Sequence, residues 1–285
     1  MNRKILSWHR AKFITQKLDQ LSKGTSMVLK ANSESIKASG ILADIQKIQT
    51  ILLETFDKFS EENNITYWID FGTLIGAYRS GEFIPWDDDI DVTTPRIDYE
   101  RIKNLSNKLP DGYYFSLGKD RNLIKLRHKE LPEIIALDIF AADFLTNELK
   151  TSDCITISQK VFQKQEQLLD LPDKKRHQEL AILAEDLNLK FTSKLNDAKF
   201  ICYGLEFRHS SHPSIIIDTK YVFPLNSIEF ENKKYPCPKN PLAHLTLLYR
   251  DFRTIDYSKL PHCSVDNFTM DELLSIINFI EKYAN

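Results

Sequence analysis

The apolar positions of this chain keep two rhythms, and the switches between them divide it into elements. Between residues 41 and 63, Leu42, Ile45, Ile48, Leu52, Phe56 and Phe59 recur every third or fourth position. That spacing lines one face of an α-helix, which Asn63-Asn64 ends. The period then shortens. Residues 66–69 and 90–94 are short, β-branched and aromatic and read as strands, with a helical stretch over 99–109 after them. Residues 113–117, 123–127 and 134–140 read as three more strands, separated by polar turns at 118–122 and 129–132. From 152 to 200 the helical rhythm returns, interrupted at Pro172. A mixed segment follows (214–217 and 228–231), and helices over 241–249 and 271–283 close the chain. This predicts an α+β fold: a small mixed β-sheet flanked by helices, with a largely helical C-terminal half. The same pattern gives three stretches: an arm over 1–40, a core over 41–150, and a mostly helical part over 151–285 that completes the core.

Charge changes the picture at one end. Lys plus Arg number 38 and Asp plus Glu 40, a formal net charge of −2 over 285 residues. The first forty residues hold eight basic and two acidic side chains, so the arm is +6 and the remainder −8. Within the arm Ile5, Leu6, Trp8, Phe13, Ile14, Leu18 and Leu21 recur at near-helical spacing, with Lys and Arg between them. Two readings are open. One is a basic amphipathic helix resting on an anionic membrane surface through residues 1–22. The other is a helix packed on the protein's own core. The −8 body argues against nucleic acid as a partner, since that binding rests on neutralising phosphates with Lys and Arg. No apolar run approaches the roughly 20 residues of a membrane span. The first residues also lack the apolar centre of a secretory leader, so a cytoplasmic protein is expected. Cys154, Cys202, Cys237 and Cys263 lie far apart and form no CxxC pair, which predicts reduced thiols and no zinc site.

Chemistry concentrates between Tyr67 and Val92, in YWIDFGTLIGAYRSGEFIPWDDDIDV. The chain has only 8 glycines, and Gly72, Gly76 and Gly81 all lie here, as do Asp87, Asp88, Asp89 and Asp91. On a strand, Asp89 and Asp91 point to one side while Ile90 points into the core. Two such carboxylates repel unless a cation lies between them. Mg²⁺ or Mn²⁺ accepts oxygen ligands of this kind together with substrate phosphates. A solvated acidic turn explains Asp87 and Asp88, but not the acid–hydrophobe alternation of 89–92. Gly72-Thr73 follows a strand and opens a short helix, where backbone N–H groups can approach a phosphate. Thr73 would add a hydroxyl donor and Arg79 a cationic fork. Asp138 lies in the otherwise apolar IIALDIFAAD, where an acid is costly unless paired or metal-bound. Asp143, beyond the expected strand end, reads as structural. Lys125 and Arg127 alternate on the preceding strand and either hold a diphosphate or face solvent.

With these residues in place, GTLIGAYRSGEFIPWDDDIDV resembles the signature of the LicD family, which includes the fukutin-related proteins and has a DNA polymerase β-like nucleotidyltransferase fold. Residues 96–100 (Arg-Ile-Asp-Tyr-Glu), 137–140 (Leu-Asp-Ile-Phe), Phe230-Glu231, Pro238-Lys239 and 245–249 are similar to the family pattern as well. Tyr249-Arg250-Asp251 departs from its Tyr-Gly-Asp. The resemblance covers residues 45–252. It implies a Mg²⁺-dependent transferase that moves a phospho-alcohol group from a CDP-activated donor to a sugar hydroxyl of a cell-surface glycan, with CMP leaving. The group would be phosphocholine or a polyol phosphate such as ribitol or glycerol phosphate. In that reading Asp89, Asp91 and Asp138 hold the metal, Asp138 also accepts the hydroxyl proton, and Gly72, Thr73, Arg79, Lys125 and Arg127 bind donor phosphates. For the head group, Tyr78, Trp86, Tyr113, Tyr114 and Phe115 would cage a choline, while Arg208, His209 and His212 would suit a polyol. The acceptor would be an oligosaccharide or glycolipid, met at the inner face of the plasma membrane. Two other readings use the same residues: a nucleotidylyltransferase that releases pyrophosphate, and a non-catalytic glycan-binding scaffold.

Overall fold

Helix α1 (Ile41–Asn63) buries the face its spacing predicts, with Ile45, Ile48, Leu52, Phe56 and Phe59 all turned inward. Its end is set by Asn64, which takes the left-handed conformation (φ 52°) common at helix C-termini. The structure, a computed structural model, describes residues 37–118, 123–207, 214–249, 251–252 and 268–283. The membrane-facing reading of the arm therefore falls outside the described residues, as do Arg208, His209, His212 and Cys263. From residue 38 onward the described chain packs as one unit.

After α1 come β1 (Trp68–Ile69), α2 (Phe71–Ser80), β2 (Ile90–Pro95) and α3 (Arg96–Ile102). Then follow β3 (Tyr113–Leu117), β4 (Ile124–His128) and the long β5 (Leu137–Leu145). The second half holds α4 (Thr151–Gln167), α5 (Asp173–Asp186), β6 (Phe191–Thr192), β7 (Phe200–Tyr203) and β8 (Ile216–Asp218). A hairpin of β9 (Asn226–Phe230) and β10 (Lys233–Cys237) precedes α6 (Pro241–Tyr249) and α7 (Met270–Tyr283).

The central sheet has eight strands in the order β1-β2-β5-β4-β3, with β6 and β7 added along β5 and β8 on β7. Only β2 and β5 run parallel; the other pairs are antiparallel. The sheet is thus mixed, as expected, but larger than expected. The reason lies in residues 191–203. The apolar run FICY (200–203), at and just beyond the end of the stretch expected as helix, is buried on both faces because β5 continues to Leu145 and offers it an edge. Short apolar runs carry no period that separates strand from helix; the neighbouring strand decides. Two other expectations shift for local reasons. The strand expected over 134–140 begins only at Leu137, because Ile135 N closes a turn on Pro132 O at 3.0 Å. The helix expected over 99–109 starts at Arg96, directly after Pro95, and ends at Ile102. Cys154, Cys202 and Cys237 are buried free thiols. Among the described residues no helix is long and apolar enough to cross a membrane.

Candidate active site

The sheet lays four polar side chains in one row. Asp91 on β2 is in register with Asp138 on β5, Asp138 with Lys125 on β4, and Lys125 with Ser116 on β3. Residues opposite one another in a sheet share a face, so the row reads carboxylate, carboxylate, ammonium, hydroxyl. Lys125 Nζ is paired with Asp138 Oδ1. Arg127, on the same face of β4, donates from Nε to Ser116 Oγ at 2.9 Å. Its Nη1 is buried and has no hydrogen-bond partner among the described residues. Such a stranded donor costs about 1–3 kcal/mol until an acceptor reaches it.

Acids gather at the other end of the row. Oxygens of Asp87, Asp88 and Asp89 lie within 4.8 Å of one another. Burial, and then the charges of Asp89, Asp138, Asp87 and Asp70, push the Asp91 carboxyl well above the usual carboxylate range. An excess of buried negative charge on hard oxygen donors is the donor set that suits Mg²⁺ or Mn²⁺, so the residues fit the expected metal. Helix α1 fixes the backbone of this turn: Gln46 Nε2 donates to Asp87 O (2.8 Å) and Gln49 Nε2 to Asp88 O (3.1 Å).

The start of α2 is fixed from the opposite side. Asp70 is wholly buried and caps α2 by accepting from Phe71 N at 2.9 Å. The same carboxylate accepts from Trp68 Nε1 (2.8 Å), Thr93 Oγ1 (2.9 Å), Tyr203 OH (2.5 Å) and His244 Nε2 (2.8 Å). One side chain thereby ties β1, β2, β7 and α6 to the first turn of α2. Burial would raise the Asp70 carboxyl, but the His244 charge and the hydrogen bonds from His244, Tyr203 and Phe71 N outweigh it and hold it below its ordinary value. Phe71 is held at φ 47°, a conformation that costs a non-glycine residue about 1–3 kcal/mol and persists only where its surroundings enforce it.

A Cβ on Gly72 would lie 2.7 Å from Asp87 Oδ2, so the acidic turn and the first turn of α2 are in contact. Those two segments fall inside residues 64–176, which match the LicD/FKTN/FKRP nucleotidyltransferase domain. Over those residues the chain is similar to the LicD family. A lipopolysaccharide cholinephosphotransferase LicD of Haemophilus influenzae is 45% identical over 64 residues, 22% of this chain and 24% of that protein. An uncharacterised protein of Rickettsia prowazekii, RP689, is 31% identical over 100 residues, 32% of this chain and 38% of that one. The yeast mannosyltransferase regulator 4 is 38% identical over 58 residues, 19% of this chain and 5% of that protein. The chain thus spans well under half the length of the curated relatives it matches. A lincomycin-bound structure of the lincosamide antibiotic adenylyltransferase LnuA aligns over 81% of this chain and 94% of that one. At 14% identity and a TM-score of 0.33, that likeness carries no argument.

Within and around residues 64–176 the candidate residues divide. Asp89, Asp91, Asp138, Lys125, Arg127 and Gly72 belong to the acid row or touch it. Thr73 is buried with its hydroxyl oxygen accepting from Asp91 N at 2.9 Å, so it pins strand β2 and keeps its own O–H as a donor. Arg79 donates to Phe252 O and stands seven residues from Gly72 along α2, about 10 Å away at 1.5 Å per residue. The other glycines of the cluster are structural. A Cβ on Gly76 would lie 2.5 Å from Glu82 O, and Gly81 ends α2 at φ 75°.

Of the rings offered for a cage, Phe115 packs edge-on against Phe59 (5.2 Å) and Tyr113 against His128 (4.6 Å), while Tyr114 between them on β3 is exposed. Tyr78 packs against Phe252 (5.7 Å). Asp143 is structural, as expected: five residues after Asp138 on β5 it faces the other side, where Arg96 grips it with two 2.8 Å bonds. The sequence did not single out Asp70, Tyr203 or His244, which lie 133 and 174 residues apart and carry no local motif. Asp70 did carry one signal, an acid directly before a Gly-Thr helix start.

Proposed function

We propose that the protein is a metal-dependent phosphotransferase that moves a phospho-alcohol group from a CDP-activated donor to a sugar hydroxyl, releasing CMP. The observation that carries this reading is the row Asp91–Asp138–Lys125 with Arg127 beside it. A metal-type acid cluster stands at one end and cationic donors at the other, which is what a diphosphate bridging them would require. The similarity of residues 64–176 to the LicD family supports the group moved.

Asp89 and Asp91, with Asp87 beside them, would hold Mg²⁺ or Mn²⁺; bound there, the ion supplies charge neutralisation for the diphosphate and the departing CMP. Lys125 and Arg127 would take the remaining phosphate oxygens, Arg127 with the Nη1 that is otherwise stranded. The buried acids and the α2 first turn orient the donor so that the phosphorus bearing the alcohol faces the acceptor. The acceptor oxygen forms the new P–O bond, the P–O bond to CMP breaks, and the hydroxyl proton passes to Asp138. The acceptor would be an oligosaccharide or glycolipid, and the arm would carry the enzyme to an anionic inner membrane face.

The test is a panel of CDP-choline, CDP-ribitol and CDP-glycerol, assayed for Mg²⁺-dependent CMP release with and without oligosaccharides. One member should release CMP, and Asp89→Ala and Asp91→Ala should abolish the release. Pyrophosphate from a nucleoside triphosphate would favour nucleotidylyl transfer instead, and absence of metal binding by calorimetry would favour a scaffold.

A further inference from the structure

A cavity of about 560 Å³ opens beside α2 and α6, lined by Tyr78, Lys220, Tyr221, Lys239, Asn240 and Leu242. Three segments build it. Lys239 N and Asn240 N donate to Val222 O and Tyr221 O, each at 2.9 Å, which clamps the approach to α6 against the turn at 219–221. Tyr78 reaches in from the far end of α2 and is 40% exposed. Lys220 is held over the Tyr221 ring at 4.8 Å and steadied by Asp218 at 2.6 Å. Among the described residues two ammonium groups line the cavity and no carboxylate does, in a chain that is −8 outside its arm.

Both helices lead from this cavity to the acids. Gly72, against Asp87, and Tyr78 are six residues apart on α2, about 9 Å. On α6, Pro241 lines the cavity, and eight residues on, about 12 Å, stands Tyr249. The Tyr249 phenol feels the charges of Asp91, Asp70, Asp87 and Asp89 on top of its burial. The cavity therefore lies one or two sugar rings from the acid row.

We infer that this cavity is an acceptor subsite for an anionic sugar, one that carries a phosphate or carboxylate. The sugar ring lies on the tyrosines, whose apolar faces and polar rims suit a carbohydrate, and its charge meets Lys220 and Lys239. An anionic residue seated here leaves the hydroxyl of the next sugar free to reach Asp138. The word acceptor rests on the transfer reading above; the preference for an anionic sugar rests on the lining alone.

Two measurements keep these apart. Titration of glucose 6-phosphate into the full chain, followed by NMR, should show binding where glucose shows none. The double variant Lys220→Gln/Lys239→Gln should weaken that binding about tenfold or more with little change in melting temperature, since the exposed Lys220–Asp218 pair contributes little. Equal binding of glucose and glucose 6-phosphate, or unchanged binding in the variant, overturns the subsite. In the transfer assay the same variant should raise the acceptor KM and leave acceptor-independent hydrolysis of the donor unchanged. If the wild type releases no CMP from any CDP-alcohol, the transfer reading fails, and the titration still decides the cavity.

Discussion

Replacing Asp91 by asparagine should make the metal-free protein more stable. Asp91 and Asp138 are in register on adjacent strands, about 5 Å apart at the usual strand spacing. Two charges at that distance repel by about 3 kcal/mol in an effective dielectric near 20. Asp89 and Asp87 add to this, while Lys125 on Asp138 and partial solvent access to Asp91 subtract. A net gain of about 1–3 kcal/mol is expected, or about 2–5 °C in melting temperature for a chain of this size. The sign follows from the shift. A carboxyl raised in the folded state binds its proton more tightly there, so metal-free stability falls as pH rises from 3.8 through the folded value. The Asp91→Asn variant should lack that slope. The assay is thermal unfolding with EDTA and with Mg²⁺: the variant melts higher with EDTA, and Mg²⁺ raises the wild type but not the variant. A variant that melts lower with EDTA, or gains as much from Mg²⁺ as the wild type, would show that Asp91 neither repels its neighbours nor holds the metal.

Asp70→Asn removes the ionised acceptor that faces His244, Tyr203, Trp68 and Thr93; breaking a buried pair of this kind should cost about 3–5 kcal/mol by urea unfolding. Because the Asp70 carboxyl is held below 3.8, its contribution is complete above that pH and lost as pH falls through the lower folded value. Acid unfolding of Asp70→Asn should accordingly be less steep below that point. Gly76→Ala puts a methyl against Glu82 O and should destabilise by about 1–3 kcal/mol, whereas a neutral result would mean that the 82–84 loop yields. Arg127→Met removes a stranded donor, so unfolding stability should hold or rise while donor KM rises about tenfold or more; a variant with unchanged donor KM would take Arg127 out of the donor site.

The acid turn and the α2 start were legible because both are contiguous motifs. Four acids in five positions and a Gly-Thr helix start declare themselves without tertiary information. What the sequence could not reveal was which of those groups meet. Thr73 looked like a phosphate donor, and its oxygen also braces Asp91 N. Asp87 looked like solvated turn and instead touches the Gly72 helix start. The network around Asp70 draws on β7 and α6, more than a hundred residues downstream, and only the paired sheet edge and the docked helix bring Tyr203 and His244 to it. The sheet was underestimated for the same reason: FICY acquires its identity as a strand from β5, not from its own composition.

The proposed transfer of a phospho-alcohol group to a sugar along the row from Asp91 to Arg127 can be followed by phosphorus-31 NMR of a mixture of a CDP-alcohol, Mg²⁺ and an oligosaccharide acceptor. A phosphodiester signal on the sugar should grow in step with CMP, and Asp89→Ala and Asp91→Ala should abolish both. A pyrophosphate signal from a nucleoside triphosphate, with the CDP-alcohol untouched, would contradict it.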